Sequence, residues 1–148
     1  MDTPQPDEKA HRMPKLLFGL LILVGAIGVA GGGIGVVLGP VTGAAPQQIS
    51  PSTSSEYRFL SGVWFSLGCV LWWSLRQPVA RRAVTRIVVI CGIAGGVGRL
   101  VSLLIDGWPG PFIVALVVEL VVLPALLWWH SRRWALPPRD PRTHAGDI

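Results

Sequence analysis

Charge is scarce in this 148-residue chain: Asp, Glu, Lys and Arg together make up 14% of it, against about 25% in an average soluble domain. That is too little polar surface to cover a water-soluble globule. Cys69 and Cys91 are its two cysteines, too few for a disulfide scaffold. The glycines follow no three-residue period, which excludes a collagen-like chain, and the long apolar runs exclude disorder. Two connectors between those runs, residues 39–57 and 106–110, contain neither Lys nor Arg. What is abundant is hydrocarbon and bare backbone: 51% apolar residues and 18 glycines. The composition is that of a small integral membrane protein.

Thirteen Lys and Arg against eight Asp and Glu leave a formal net charge of +5. That balance would suit nucleic acid, but the basic residues sit in short clusters beside apolar runs, where they report membrane orientation. No segment is long enough for a soluble domain to carry a phosphate-binding face, so nucleic-acid binding is not expected.

A membrane-spanning helix needs roughly 20 mostly apolar residues. Four stretches qualify, at about residues 16–38, 58–75, 83–105 and 111–129. Lipid satisfies no backbone polar groups and the short loops give no barrel meander, so helices are expected. The expected fold is all-α, an integral membrane four-helix bundle at 16–129, with tails at 1–15 and 130–148. Lys9, Arg12 and Lys15, then Arg76, Arg81, Arg82 and Arg86, then Arg132, Arg133, Arg139 and Arg142 all fall on one side. By the positive-inside rule both termini are cytoplasmic, in the cytoplasmic (inner) membrane. Trp72, Trp73, Trp128, Trp129 and Trp134 suit an inner aromatic belt, and Trp108 marks the outer side. Residues 1–45 also carry signal-peptide features, with Gly43-Ala44-Ala45 as a cleavage candidate. An apolar run longer than the ~7–15 residues usual there, and Pro46 after the cut, favour a retained span. The polar connector 39–57 is either a flexible loop or a functional lid.

Helix one carries Gly25, Gly28, Gly31, Gly32, Gly33, Gly35 and Gly39, and helix three carries Gly92, Gly95, Gly96 and Gly98. The four-residue spacings, with Gly28, Gly32, Gly35, Gly92 and Gly96 as the packing positions, let backbones approach closely. Packing within the bundle is the expected use; homodimerisation through helix one is the competing one.

The informative residues are charges inside the apolar runs. Arg99 lies ~9 Å from the outer end of helix three, and Glu119 ~12 Å from the outer end of helix four, at 1.5 Å per residue. Each alone would cost roughly 2.5–3.5 kcal/mol to insert, so a facing pair is expected. Arg99, Ser102 and Asp106 share one helical face, and Arg58 starts helix two at the same end. These five residues are either a polar staple that fixes the bundle or the lining of an outward-facing pocket for a small amphiphile. Cys69 and Cys91 are expected to pack as small apolar side chains. His11, His130 and His144 lie outside the spans without ligand spacing, so no metal and no cofactor is expected. The glycines at 92–98 lie within an apolar run with no strand before them, so they are not a phosphate loop.

Arg58-Phe59 with Gly62 and Gly68, the run Gly95-Gly96-Val97-Gly98-Arg99-Leu100-Val101-Ser102, Gly107-Trp108-Pro109, and Glu119 with Pro124 resemble an uncharacterised bacterial family of four-helix membrane proteins, the domain of unknown function 4345. The resemblance covers about residues 56–129. It implies the four-helix fold and a role for Arg58, Arg99, Ser102 and Glu119, but no reaction. In architecture alone the chain is also similar to the DoxX-like families, and fold does not give function.

The expected function is non-enzymatic: a membrane module that binds a lipophilic molecule or a partner protein through the outward-facing polar cluster. The alternative is an enzyme on a lipid or isoprenoid-like substrate, with Glu119 as acid/base and Arg99 or Arg58 orienting an anionic or carbonyl group. No reaction identifies catalytic residues beyond that. A channel or transporter fits less well, since no helix has a polar stripe along its whole length.

Overall fold

The structure, a computed structural model, describes residues 13–40, 49–107 and 113–133. Among them the chain forms four helices and no strand. Helix α1 is Lys15–Leu38, α2 is Pro51–Leu75 and α3 is Arg82–Asp106. Helix α4, residues 113–133, has three parts: α-helical Ile113–Val117, a π-helical turn Val118–Val122, and α-helical Leu123–Arg133. Residues 1–12, 41–48, 108–112 and 134–148, with the cleavage candidate at 43–45, Trp108, Pro111 and Trp134 among them, lie outside the described residues.

Local chemistry sets the helix ends. Pro14 precedes α1, and Gly39, at φ 75°, ends it by donating its N–H to Gly35 O; the left-handed conformation there favours glycine. Ser50 caps α2 by accepting a hydrogen bond from the Thr53 N–H at 3.1 Å, and Pro51 follows in the first helical position. That cap and proline are a standard helix start. Helix α2 therefore begins at Pro51, well before the expected residue 58, and winds up part of the long connector. Gly107, at φ 94°, ends α3. At the other extreme, α4 runs to Arg133 and includes His130, which the sequence reading assigned to a tail.

Each helix packs antiparallel to the next. The end with Leu38, Pro51, Asp106 and Ile113 is called upper below, and the end with Lys15, Leu75, Arg82 and Arg133 lower. The α1–α2 contact is the most extensive and rests on glycine. A Cβ on Gly32 would lie 2.6 Å from Ser61 O, one on Gly68 would lie 2.7 Å from Gly25 O, and one on Gly35 would collide with the Ser61 side chain. Gly28 faces Gly68 and Trp64. Helix α2 thus occupies the face of α1 that carries Gly28, Gly32 and Gly35, and a second copy using those positions would have to displace it. Gly31 and Gly98, by contrast, meet open space.

Large apolar side chains face outward. Phe59, Val37, Leu104, Ile105 and Val114 are all about 70% exposed, whereas glycines, Ser61, Ser74 and Thr85 are buried between helices. A water-soluble monomer does not leave so continuous an apolar surface. Small residues at the helix contacts, with many large apolar ones on the outer surface, is the arrangement of helices packed in lipid. Helices α1, α3 and α4 are long and apolar enough to cross a membrane; α2 is as long, but Arg58 and its Ser, Gly and Trp content reduce its hydropathy. The fold is compatible with a membrane protein. At its centre, Leu17, Leu21, Leu71, Leu75, Val88, Val89, Leu123 and Leu126 form the buried core.

Candidate functional site

In the upper half, α3 and α4 approach closely because Gly96 has no side chain. A Cβ there would lie 2.6 Å from Glu119 Cβ and 3.0 Å from Leu120 Cδ2. One turn further along α3, Arg99 meets Glu119: its Nε lies 3.0 Å from Oε2 and donates to Oε1 at 3.3 Å. The Glu119 side chain is 8% exposed and that of Arg99 36%. The carboxylate is therefore enclosed by protein, while the arginine reaches from the interior to the periphery.

Glu119 sits inside the π turn. There the Leu123 N–H donates to Val118 O, five residues back. Pro124 follows at once and has no N–H, so the regular i→i−4 bond to residue 120 cannot form. A widened turn is one way to absorb such a break, and π turns recur at functional sites because they re-aim a side chain. Here the re-aimed residue is the buried acid.

The other sequence-derived site residues lie elsewhere. The Ser102 hydroxyl donates to Asp106 Oδ2 at 2.9 Å, one turn away on α3, and both residues are exposed. The Arg58 guanidinium bonds the last carbonyls of α1: it donates to Val36 O, and to Val37 O at 2.9 Å. A cation on those oxygens satisfies acceptors that lack a helical partner and opposes the negative end of the helix dipole. Arg58 thus fastens the start of α2 to the end of α1. Cys69 and Cys91, expected to be packed, are free and exposed on the apolar exterior. Among the described residues no group of His, Cys, Asp and Glu could hold a metal ion.

A second polar group, missed by the sequence reading, lies at the lower end. Ser74, Thr85 and His130 are 0%, 1% and 1% exposed. The Ser74 hydroxyl shares a 2.9 Å hydrogen bond with Thr85 and donates to Leu71 O at 2.7 Å. The signal for His130 is its spacing: Leu116, Glu119, Leu123, Leu126 and His130 recur every three or four residues, the period of one helical face, and all five are buried.

Between the two polar levels, Val24, Gly28, Trp64, Leu67, Val88 and Leu123 are among the residues around an apolar void of about 20 Å³. That is about the space of one water molecule and cannot admit a lipid chain.

These features define a class: an all-helical protein, compatible with a membrane, whose last two helices share an ion pair enclosed on its acidic side. The chain belongs to the family described as a domain of unknown function, DUF4345, whose model matches residues 16–130 and so runs from the first turn of α1 to His130. No curated protein and no solved structure matches it.

Proposed function

We propose that this chain is a four-helix bundle of the cytoplasmic membrane, crossing it four times with both termini in the cytoplasm. Its upper end faces outward, and the Arg99–Glu119 pair is the centre of a polar site that binds an amphiphilic molecule through its head group. The observation that carries this reading is the asymmetry of the pair. Glu119 is enclosed, packed against Gly96, while Arg99 is 36% exposed. A pair built only to staple two helices would face the bundle interior with both partners. Here the cation reaches the surface at a level where a bound amphiphile presents its polar atoms. Guanidinium donors suit a phosphate, carboxylate or carbonyl oxygen. Apolar Val97, Val101 and Val117 on α3 and α4, all about half exposed, support a position for the tail of such a molecule beside them.

The test is to make Glu119→Gln, Arg99→Leu and the double variant, and to follow both accumulation in membranes and the masses that accompany the detergent-extracted protein in native mass spectrometry. The expected result is a co-purifying amphiphile of defined mass in the wild type that is lost in the Arg99 variant while the protein still accumulates. If the single variants disappear from membranes and the double is restored, the pair is a staple and the binding reading fails. A stable second protein in place of a small molecule would reassign the site to partner recognition.

A further inference from the structure

The lower end has a different electrostatic character from the site above. Among the described residues the carboxylates are Glu56, Asp106 and Glu119, all in the upper half, whereas Lys15, Arg76, Arg81, Arg82, Arg86 and Arg132 all lie in the lower part. Two of these arginines are laid against tryptophans. The Arg81 guanidinium carbon is 3.7 Å from the centre of the Trp73 ring, with Nη1 donating to Trp73 O at 2.8 Å, and Arg132 lies 4.0 Å over Trp128. Trp73 and Trp128 are themselves 47% and 59% exposed. Stacking holds a guanidinium by its face and uses none of its N–H donors; Arg81 gives Nη1 to Trp73 O, and Arg132 is exposed.

We propose that this lower rim is a docking surface for the head groups of anionic phospholipids. This rests on the membrane reading above, but not on the upper site. The tryptophans set the depth of the rim at the head-group level. Arg132, with the remaining donors of Arg81, then presents a flat, pre-oriented edge that matches a phosphate better than a mobile ammonium does. Arg76 and Lys15, both exposed, and Arg82 add long-range attraction. A zwitterionic lipid carries the same phosphate, but its own ammonium meets a rim of like charge with no described carboxylate to receive it. The rim therefore selects lipids of net negative charge.

The full chain is reconstituted in nanodiscs of equimolar phosphatidylcholine and phosphatidylglycerol, and the lipids retained on release are counted by native mass spectrometry. Retained phosphatidylglycerol should exceed phosphatidylcholine, and the excess should fall about fivefold for each arginine neutralised among Arg76→Gln, Arg82→Gln and Arg132→Gln. The corresponding lysine substitutions keep the charge and should keep most of the excess, which guards against misfolding as the cause of a loss. Equal retention of both lipids by the wild type, or an undiminished excess in the glutamine variants, overturns the proposal. Alkaline carbonate extraction of membranes separates the two readings: a chain that washes off defeats the membrane assignment, and one that stays but shows no lipid preference defeats this inference alone.

Discussion

The closest helix contact makes the sharpest prediction. A Cβ added at Gly32 would stand 2.6 Å from Ser61 O and 2.9 Å from Phe65 Cα, and closer still to Phe65 N. All three are backbone atoms of α2, so no rotamer change relieves the clash, and Gly32→Ala must push the two helices apart by roughly 1 Å to regain ordinary contact distances. Overpacking of that kind costs about 1–3 kcal/mol, and it loosens the neighbouring contacts of Gly28 and Gly35 as well. Alanine also gains up to ~1 kcal/mol in helix propensity, which would obscure the measurement if read alone. Gly31, the preceding residue, supplies the control, because nothing lies within 4 Å of its Cβ direction. Subtracting Gly31→Ala from Gly32→Ala cancels the propensity gain and leaves the steric cost. Reversible unfolding by SDS in mixed micelles, followed by tryptophan fluorescence, reads both. The expectation is Gly31→Ala at or above wild-type stability and Gly32→Ala about 1–3 kcal/mol below Gly31→Ala. Equal stability of the two variants would refute the α1–α2 packing.

Three further outcomes follow from other contacts. Arg58→Leu strips the cation from Val36 O and Val37 O; it should cost about 1–2 kcal/mol and speed amide exchange in the last turn of α1, and unchanged exchange there would remove the capping role. Ser74→Ala and Thr85→Ala, singly and together, should show a coupling near ~0.6 kcal/mol, as is usual for interhelical hydrogen bonds in membranes; strictly additive effects would argue against the buried bond. Cys69 and Cys91 are exposed on the apolar exterior, where the reactive thiolate does not form, so in intact membranes neither N-ethylmaleimide nor a charged, impermeant thiol reagent should label them appreciably until SDS is added. Labelling of either by the impermeant reagent in intact membranes contradicts a lipid-facing position.

Much of the fold was legible because apolar length is a direct physical requirement. The charge-free run at 16–38 maps onto α1 almost residue for residue, since nothing polar interrupts it before Gly39. Rise per residue is enough to bring Arg99 and Glu119 to one level, and the structure places their side chains 3.0 Å apart. The rest depended on information that residue types carry weakly. Ser50 and Pro51 start a helix, but the serines and threonine after them read equally well as a loop. Arg58 binds main-chain oxygens, and every helix end offers those, so no pattern of side chains points to the partner. His130 was lost to a boundary drawn where the aromatic belt begins, although its buried stripe continues through Leu123 and Leu126. The exposed cysteines were misjudged by an assumption suited to water, where a small apolar residue gains by being inside; in a bilayer the outside is apolar too.

The π turn has a consequence for how this helix tolerates change. It accommodates one residue more than a regular helix would in the same length, so α4 is wound in two segments whose phases differ by about 100°. Deleting a single residue between Leu120 and Leu123 would remove the extra residue and restore the α-helical phase, with only the bond that Pro124 cannot donate still missing. The upper segment would then swing by that angle relative to the lower, carrying Glu119 off Gly96 and Arg99 while leaving the Leu126–His130 stripe seated. The helix would remain apolar and long enough to span, and every named residue would still be present. Insertions and deletions in this one turn are thus a route by which relatives of the chain could lose the ion pair with no change at Arg99 or Glu119.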